Sequence, residues 1–523
     1  MNRRERKLQA RGEATPEMAA HVAQMMAYPI ACHRAGRLDR AAAGYRQIIK
    51  NEPDCADAWC NLGNVLAELG HYGESIAASQ RAIELNPKIP DAHNNLGAAF
   101  LRHARVNEAF ACYLTAHQLT PKTWPFARNL LACSLYRDDL DVDQVNTLHQ
   151  RVAKNFQVYP FQSFEVRRPG PIRVGFVSSD LRNHVLANIL LPLVKRLDAA
   201  KFELSFWAHD SAVDATTAEY GERGSIYGID DTSDARAAEM MRSKELDIAV
   251  FCAGHLDRNR PTIACHRAAP VQISMFDVHP TFLPGMDYYT TDSVLTPAER
   301  SSRYVERPLY IDPVYVVDGL NGYPPVLDTP RTGPPVFGCF NNPCKISRSC
   351  LEAWAAILTQ VPNSVIKLGY NDCYASEELR DRFTKTLRSK GAGENQIWFY
   401  VDNLARDQHL QRYNEIDIAL DTFPFSGSTT SFQAAAMGVP VVTLAGDRMS
   451  GRWTYSMVEA CQRHQLDVSD AVAYSVSAVD CATHVDVYRL LRADLRRLVV
   501  KSPLCDPGAY AAKVAQMFTE LVK

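Results

Sequence analysis

One lysine and two threonines in the second half of the 523-residue sequence have the types and spacing to bind an anion. Lys345 comes just after the apolar run 336–339. Thr429 and Thr430 open a helical stretch directly after a turn of small residues, 426–428. Ligands of open α/β sheets bind at the carboxyl ends of strands, and a helix N-terminus attracts anions. These residues therefore predict a phosphate site, although singly each also fits a solvated lysine or an ordinary capped helix.

Short apolar runs that alternate with helical stretches must position these residues. Such alternation is typical of parallel βαβ units, so the sequence predicts two Rossmann-like halves with a cleft between them. The runs are 172–180, 202–210, 246–254 and 271–277 in the first half, and 336–340, 364–370, 397–401, 416–421 and 439–444 in the second. Neither half carries G-x-G-x-x-G or the P-loop pattern, so dinucleotide and P-loop binding lose their main support.

An internal repeat precedes these halves. Residues 57–87 and 91–121 align at a period of 34 residues, so that Gly63 matches Gly97, and a weaker copy comes before them. This period is typical of the tetratricopeptide repeat, in which small residues let paired helices approach. About three repeats would form a short solenoid whose concave face binds a peptide or partner protein. Alternatively, the repeats only extend and shield the following domain.

Composition narrows the class of protein. The sequence is 46% hydrophobic and 22% charged with a net charge of −2, which argues against nucleic acid as the principal partner. The N-terminus lacks the apolar core of a signal peptide and no run of about 18 apolar residues occurs, so we expect a cytoplasmic protein without a membrane span.

Fourteen scattered cysteines without a C-x-x-C pair favour neither a disulfide framework nor zinc. The acidic cluster 138–143 is predicted to be a solvated turn rather than a metal site.

Several longer stretches, in order along the chain, resemble one family. They are RVGFVSSDLRNH (173–184), GHLDRNRPTIACHRAAPVQ (254–272), MDYYTTD (286–292), FNNPCKIS (340–347), WAAILTQVPNSVIKL (354–368), DIALDTFPFSGSTT (417–430) and GVPVVTLAGDRMSGR (438–452). With the repeats, they make the chain resemble the protein O-linked N-acetylglucosamine transferases and their SPINDLY-type relatives. The resemblance implies an α plus α/β chain, with a tetratricopeptide solenoid ahead of a GT-B fold of two Rossmann-like domains.

The predicted domain limits follow from the repeat and from this resemblance. They are a flexible N-terminus (1–22), tetratricopeptide repeats (23–127), a helical connector and linker (128–170), an N-terminal Rossmann-like lobe (171–325) and a C-terminal nucleotide-sugar-binding lobe (326–523).

The resemblance also assigns site residues. By position, the catalytic residues are His184, His255 and Lys345, and the donor-binding residues are Asn342, Lys345, Arg406, His409, Gly427, Ser428, Thr429, Thr430 and Gln433. Lys345 would contact the donor diphosphate, and Gln433 would stand at the acidic position that meets the ribose hydroxyls. His184 would act as general base or position the acceptor hydroxyl, and His255 would line the same cleft. No metal and no cofactor are implied, because the nucleotide sugar is itself the substrate.

Some positions depart from the family pattern. Leu256 replaces a threonine, Cys344 replaces an aromatic residue, and Ser428 stands where some relatives have histidine. Between PVQ (270–272) and MDY (286–288), relatives usually carry a Gly-Tyr-Pro-Gly-Thr-x-Gly turn. This chain has MFDVHPTFLPG (275–285) there, which is one residue shorter and lacks those glycines. Loss of turn glycines changes where the backbone can approach the sugar and the acceptor. We therefore expect an intact diphosphate site and an altered acceptor side.

The expected function is inverting, metal-independent transfer of a sugar to Ser or Thr of protein acceptors presented by the repeats. The resemblance favours UDP-N-acetylglucosamine (UDP-GlcNAc) as the donor. Two alternatives stay open: a GDP-fucose-dependent protein O-fucosyltransferase, and a repeat scaffold whose catalytic region binds nucleotide without transfer.

Overall fold

The chain divides into two compact units, Met1–Cys133 and Ser134–Lys523. The computed structural model describes residues 16–161, 163–164, 167, 169–209, 213–327, 329–461, 467–468 and 470–523. Of the flexible segment predicted for residues 1–22, residues 1–15 lie outside the described residues, whereas 16–22 already belong to the first helix.

The first unit consists of consecutive helix pairs. These are α1 (Pro16–Arg34) with α2 (Leu38–Asn51), α3 (Ala56–Glu68) with α4 (Tyr72–Leu85), and α5 (Pro90–Arg102) with α6 (Val106–Leu119), followed by α7 (Trp124–Ser134). The repeat-matched glycines lie where paired helices are closest. A Cβ atom at Gly63 would come within 2.5 Å of Ser79 Oγ, and one at Gly97 within 2.8 Å of the Tyr113 ring. The predicted helical repeat region is thus confirmed.

The second unit begins with a seven-stranded parallel sheet. Its strands are β1 (Ile172–Ser178), β2 (Phe202–Ala208), β3 (Gly224–Gly228), β4 (Ile248–Cys252), β5 (Val271–Met275), β6 (Tyr288–Thr291) and β7 (Arg307–Tyr310), in the order β3-β2-β1-β4-β5-β6-β7. The helices of this half are α8 (Val142–Ala153), α9 (Ala187–Val194), α10 (Ala215–Gly221) and α11 (Asp234–Ser243). All four predicted strands are present, and β3, β6 and β7 were not predicted.

A six-stranded parallel sheet follows. Its strands are β8 (Val336–Cys339), β9 (Val365–Leu368), β10 (Ile397–Phe399), β11 (Ile418–Leu420), β12 (Val441–Leu444) and β13 (Asp467–Val468), in the order β10-β9-β8-β11-β12-β13. The helices are α12 (Arg348–Gln360), α13 (Glu377–Ser389), α14 (Arg406–Gln411), α15 (Thr429–Ala436), α16 (Trp453–Ala460), α17 (Ala471–Thr483), α18 (Val485–Leu490), α19 (Arg492–Lys501) and α20 (Pro507–Leu521). Because β8 and β11 are neighbours, the segments that follow them emerge side by side.

The two sheets of the second unit share an apolar core. It contains Phe206 and Leu190 from the first half together with Phe432 from the second. Helix α20 lies inside the range predicted for the C-terminal lobe but packs against α9, and its Phe518 contacts Phe202 with ring centroids 6.2 Å apart.

Two sequence expectations concern thiols and membranes. All fourteen cysteines are free thiols, and eleven of them are buried. None of the helices that the structure describes combines the length and the apolar character needed to span a bilayer.

Candidate functional site

Lys345 and the turn before α15 meet at the carboxyl ends of β8 and β11. The Lys345 Nζ atom donates to the Ser426 carbonyl oxygen at 2.9 Å and lies 4.2 Å from the centroid of the Phe425 ring. An ammonium over an aromatic face is attracted by the ring quadrupole. The cation and the helix end that the sequence placed at one sheet edge are thus brought together.

A buried carboxylate shapes this turn. Asp421 is 1% exposed and accepts hydrogen bonds from Gly427 N and Thr443 Oγ1, both at 2.7 Å. Burial raises the pKa of Asp421, whereas these hydrogen bonds favour its charged form. Gly427 is required here, because a Cβ atom would lie 2.1 Å from Ser431 Oγ. Sequence reasoning did not single out Asp421, although a carboxylate at the end of a predicted strand is a recognisable signal.

The N-terminus of α15 has no capping side chain. Ser428 occupies the N-cap position without a side-chain hydrogen bond to the helix. The Thr430 hydroxyl donates to Asn341 Oδ1, and Thr429 Oγ1 accepts from the Tyr315 hydroxyl at 3.3 Å. The first N–H groups of this helix therefore lack the partner that an ordinary cap supplies, and an anion can take that place.

Burial changes the charge state of Lys345. It lowers the pKa of the ammonium to about 8, and the opposing contributions come from Asp421 and from the Cys339 thiol. Lys345 therefore remains mostly protonated at neutral pH but loses its charge under mildly alkaline conditions.

Asn342 belongs to the turn that carries Lys345. Its side-chain oxygen accepts from Cys344 N at 3.0 Å, at the start of the 3₁₀ turn Pro343–Lys345. Its carbonyl oxygen also accepts from Lys345 N at 2.9 Å. Asn342 thus shapes the lysine turn.

The residues predicted to meet the nucleoside lie around the start of α14. His409 contacts the rings of Phe340 and Tyr413, each at a centroid distance of 5.8 Å. Burial lowers the pKa of His409, with a further contribution from Arg412, and a hydrogen bond with Gln433 opposes this. The Tyr413 hydroxyl donates to Gln433 Oε1 at 3.4 Å. His409 of α14 and Gln433 of α15 therefore belong to one hydrogen-bonded group.

Arg406 is exposed at the first residue of α14. Its guanidinium carbon lies 5.5 Å from the centroid of the Tyr323 ring. A planar cation over a ring leaves its outer N–H groups available to a ligand.

His184 lies between β1 and α9, with both ring nitrogens near polar atoms. Nδ1 accepts from Leu186 N at 3.3 Å, and Nε2 lies 3.4 Å from Asp257 Oδ2. An Nδ1 that accepts a backbone N–H places the proton of the neutral ring on Nε2, which faces the carboxylate. This arrangement orients the ring and does not present an unprotonated nitrogen.

His255, predicted to line the same cleft as His184, is a buried residue. Its side chain is 0% exposed, and Nδ1 lies 2.9 Å from Asp277 Oδ2. The ring also packs against His149 and His279, with centroids 5.1 and 6.3 Å away. Gly254 permits the close carboxylate, since a Cβ atom there would lie 2.9 Å from Asp277 Oδ2.

The 275–285 segment carries several buried polar residues. Asp277, His279 and Thr281 are each no more than 4% exposed. Burial lowers the pKa of His279 well below its ordinary value, with a smaller contribution from His255. Thr281 Oγ1 and Phe282 N both donate to the buried Glu306 at 2.7 Å. The altered segment is therefore held by specific hydrogen bonds.

One group of described residues has metal-ligand spacing. Asp180, His184 and Asp257 each offer a ligand atom within 4.8 Å of the others. Asp180 already accepts from Asn259 Nδ2 at 2.9 Å. The metal-free site predicted from the sequence stays a prediction.

Comparison with known proteins places this geometry in a family. The model of glycosyl transferase family 41 matches residues 126–324 and 332–514, which include the lysine turn and the end of α15. The chain belongs to glycosyl transferase family 41. A tetratricopeptide-repeat model matches residues 63–103.

Relatives within the family are known from plants and bacteria. The chain is 30% identical over 366 residues to the probable UDP-N-acetylglucosamine–peptide N-acetylglucosaminyltransferase SPINDLY of Arabidopsis thaliana. The matched residues make up 68% of this chain and 40% of that protein. It is 26% identical over 398 residues to the probable transferase SEC of the same plant, again spanning 40% of its length. A solved mutant of the Thermobaculum terrenum O-GlcNAc transferase superposes with a TM-score of 0.85 at 27% identity, covering 97% of this chain and 99% of that one. The predicted repeat-plus-GT-B fold class is confirmed.

Proposed function

We propose that the chain is an inverting protein O-glycosyltransferase that moves N-acetylglucosamine from UDP-GlcNAc to Ser or Thr hydroxyls of protein acceptors. The observation that carries this proposal is the 2.9 Å contact that fixes the Lys345 ammonium beside the uncapped end of α15. The relatives supply the donor, because the plant proteins are named as UDP-N-acetylglucosamine–peptide transferases. The repeats would present the acceptor.

The chemistry follows from where charge develops. The acceptor oxygen bonds to the anomeric carbon as the bond from that carbon to the β-phosphate oxygen breaks, and UDP leaves with an additional negative charge. Fixed cations and N–H groups directed at such a charge stabilise the transition state more than the ground state. We assign this role to Lys345 and the α15 N–H groups.

We propose different roles for the two histidines, His184 and His255. Both His184 nitrogens are near polar partners, so we assign His184 to positioning the acceptor rather than to proton abstraction. The Nε2 atom of His255 is buried, and this ring supports the altered 275–285 segment. We therefore assign uptake of the acceptor proton to water rather than to either ring.

The experiment that tests the proposal is nucleotide release from UDP-GlcNAc, other UDP-sugars and GDP-fucose, with host-cell lysate as acceptor. We expect release from UDP-GlcNAc and a mass increase of one N-acetylhexosamine on Ser or Thr peptides. Release from GDP-fucose alone would establish the fucosyltransferase alternative. Binding of UDP without release from any donor would establish the scaffold alternative. The cytoplasmic location expected from the sequence stays a prediction.

Replacing Gln433 with glutamate should tighten UDP binding about fivefold. A carboxylate accepts a stronger hydrogen bond from a ribose hydroxyl than an amide does, by roughly 1 kcal/mol. Isothermal titration with UDP measures the change, and Gln433→Ala, which removes the acceptor, should weaken binding. Equal affinity in all three proteins would place the ribose elsewhere.

Turnover should be unaffected by chelation. Because Lys345 and α15 supply the stabilising charge, an excess of EDTA should leave the rate of UDP release unchanged. Loss of activity that added Mg²⁺ or Mn²⁺ restores would contradict this and direct attention to the Asp180, His184 and Asp257 group.

A further inference from the structure

Phe425, the ring beneath the Lys345 ammonium, also contacts an aromatic side chain. The Tyr136 ring stacks on Phe425 with centroids 5.2 Å apart and planes inclined by 26°. Tyr136 lies in the connector that leaves α7 at Ser134, far from Phe425 in the sequence. The aromatic stack therefore joins the connector to the donor-binding turn.

Apolar side chains on three segments surround this stack. Leu135 and Val145 of the connector, Val278 of the altered 275–285 segment and Phe425 form one buried cluster. Tyr136, Leu140 and Leu256 pack against it. Because protein interiors are close-packed, a change of volume at Tyr136 must be taken up by these neighbours.

Polar contacts fix the connector at the same place. The backbone N and the Oγ of Ser349 donate to Asp138 Oδ2 at 3.0 and 2.7 Å, at the start of α12. The buried Arg448 guanidinium donates to the carbonyl oxygens of Leu135, at 3.3 Å, and Leu140. The sequence predicted a solvated turn at 138–143. Its aspartates are exposed, and Asp138 also binds the half of the unit that carries Lys345.

We propose that Tyr136 is a positioning residue for Lys345. Its ring holds Phe425 in place, and Phe425 in turn holds the ammonium over the end of α15 and limits its access to water. The positioning of Lys345 by Tyr136 does not depend on which reaction the chain catalyses. Only the expected effect on turnover rests on the proposed function.

A change at Tyr136 has a direct electrostatic signature. Burial is the cause that lowers the pKa of Lys345 to about 8, and the charged or titratable groups that face it, Asp421 and Cys339, lie on other segments. Removing the Tyr136 ring admits water and leaves those groups in place. The Lys345 pKa should then rise toward the ordinary lysine value, so that the ammonium keeps its charge to higher pH.

The test is the pH dependence of Lys345 acetylation by acetic anhydride in the full chain without nucleotide, followed by peptide mass spectrometry. We expect a midpoint near pH 8 in the native chain and one about one pH unit higher in Tyr136→Leu, which keeps apolar volume but removes the stack. Tyr136→Phe, which keeps the ring, should restore the native midpoint. Tyr28→Ala, at a tyrosine that is 62% exposed in α1, is the matched control and should not move it.

A native midpoint in a folded Tyr136→Leu chain overturns the proposal. If that variant does not fold, Asp138→Ala loosens the same connector turn from an exposed position, and an unchanged midpoint there overturns the proposal equally. With UDP-GlcNAc, kcat should fall about tenfold in Tyr136→Leu and recover in Tyr136→Phe, because misplacement of a charge-stabilising group acts on the transition state. Absence of turnover in the native chain would count against the proposed function, while the acetylation midpoints would still decide the role of Tyr136.

Discussion

Replacing Lys345 with alanine should lower kcat for UDP release by about two to three orders of magnitude. Removing one preorganised group that stabilises developing charge has an effect of this size on enzymes of other classes. The fold should survive, because the Lys345 side chain makes one hydrogen bond, to the Ser426 carbonyl, and its removal leaves no charge unpaired in the core. Steady-state release of UDP measures the rate, and circular dichroism checks the fold.

Lys390→Ala is the matched control for this substitution. Lys390 is exposed and pairs with Glu352 at 3.1 Å, away from the donor turn, so its loss should leave turnover unchanged. An active Lys345→Ala chain would remove the lysine from the reaction. Unfolding of that variant would instead assign Lys345 to the stability of the turn.

Asp421→Ala should cost both stability and donor binding. The substitution leaves Gly427 N and the Thr443 hydroxyl without their acceptor in a buried place, at a cost of about 3 kcal/mol. The thermal midpoint of unfolding should fall by at least about 5 °C, since 1 kcal/mol corresponds to about 2–4 °C in domains of this class. UDP affinity should fall together with it, because the turn before α15 loses its anchor.

A conservative variant separates the contribution of the hydrogen-bond acceptor at position 421 from that of its charge. Asp421→Asn keeps an acceptor for Gly427 N and is expected to retain most of the stability that Asp421→Ala loses. Burial raises the pKa of Asp421, so the charged form is the one that burial disfavours, and neutral asparagine avoids that penalty. Equal destabilisation by alanine and asparagine would show that the charge, rather than the hydrogen bond, holds the turn.

Much of the fold could be predicted from local pattern. Nine apolar runs gave nine of the thirteen strands among the residues that the structure describes, because a strand buried on both faces of a parallel sheet is a continuous apolar run. The strands that were missed have weaker signals. Gly224–Gly228 is an edge strand that is mostly half-buried or exposed, and Asp467–Val468 has only two residues.

The candidate site was predicted only in part, for a related reason. Lys345 and Thr429 follow strands, so their edge of the sheet can be read from the sequence. The enclosure of His255 depends on His149 from α8 and His279 from the altered segment, which no local pattern brings together. The same holds for the acidic turn at 138–143, whose Asp138 is bound by Ser349 more than 200 positions along the chain.

The adjacency of β8 and β11 has a consequence for how the site comes into being. Its decisive contacts, Lys345 with Ser426, Asn341 with Asp421, and Asn341 with Thr430, join residues 80 to 89 positions apart. On the proposed function, no segment of a growing chain binds the nucleotide donor before residue 430 has left the ribosome and the two strands have paired. Donor affinity then reports the completed sheet, and a bound nucleotide stabilises that entire sheet by mass action.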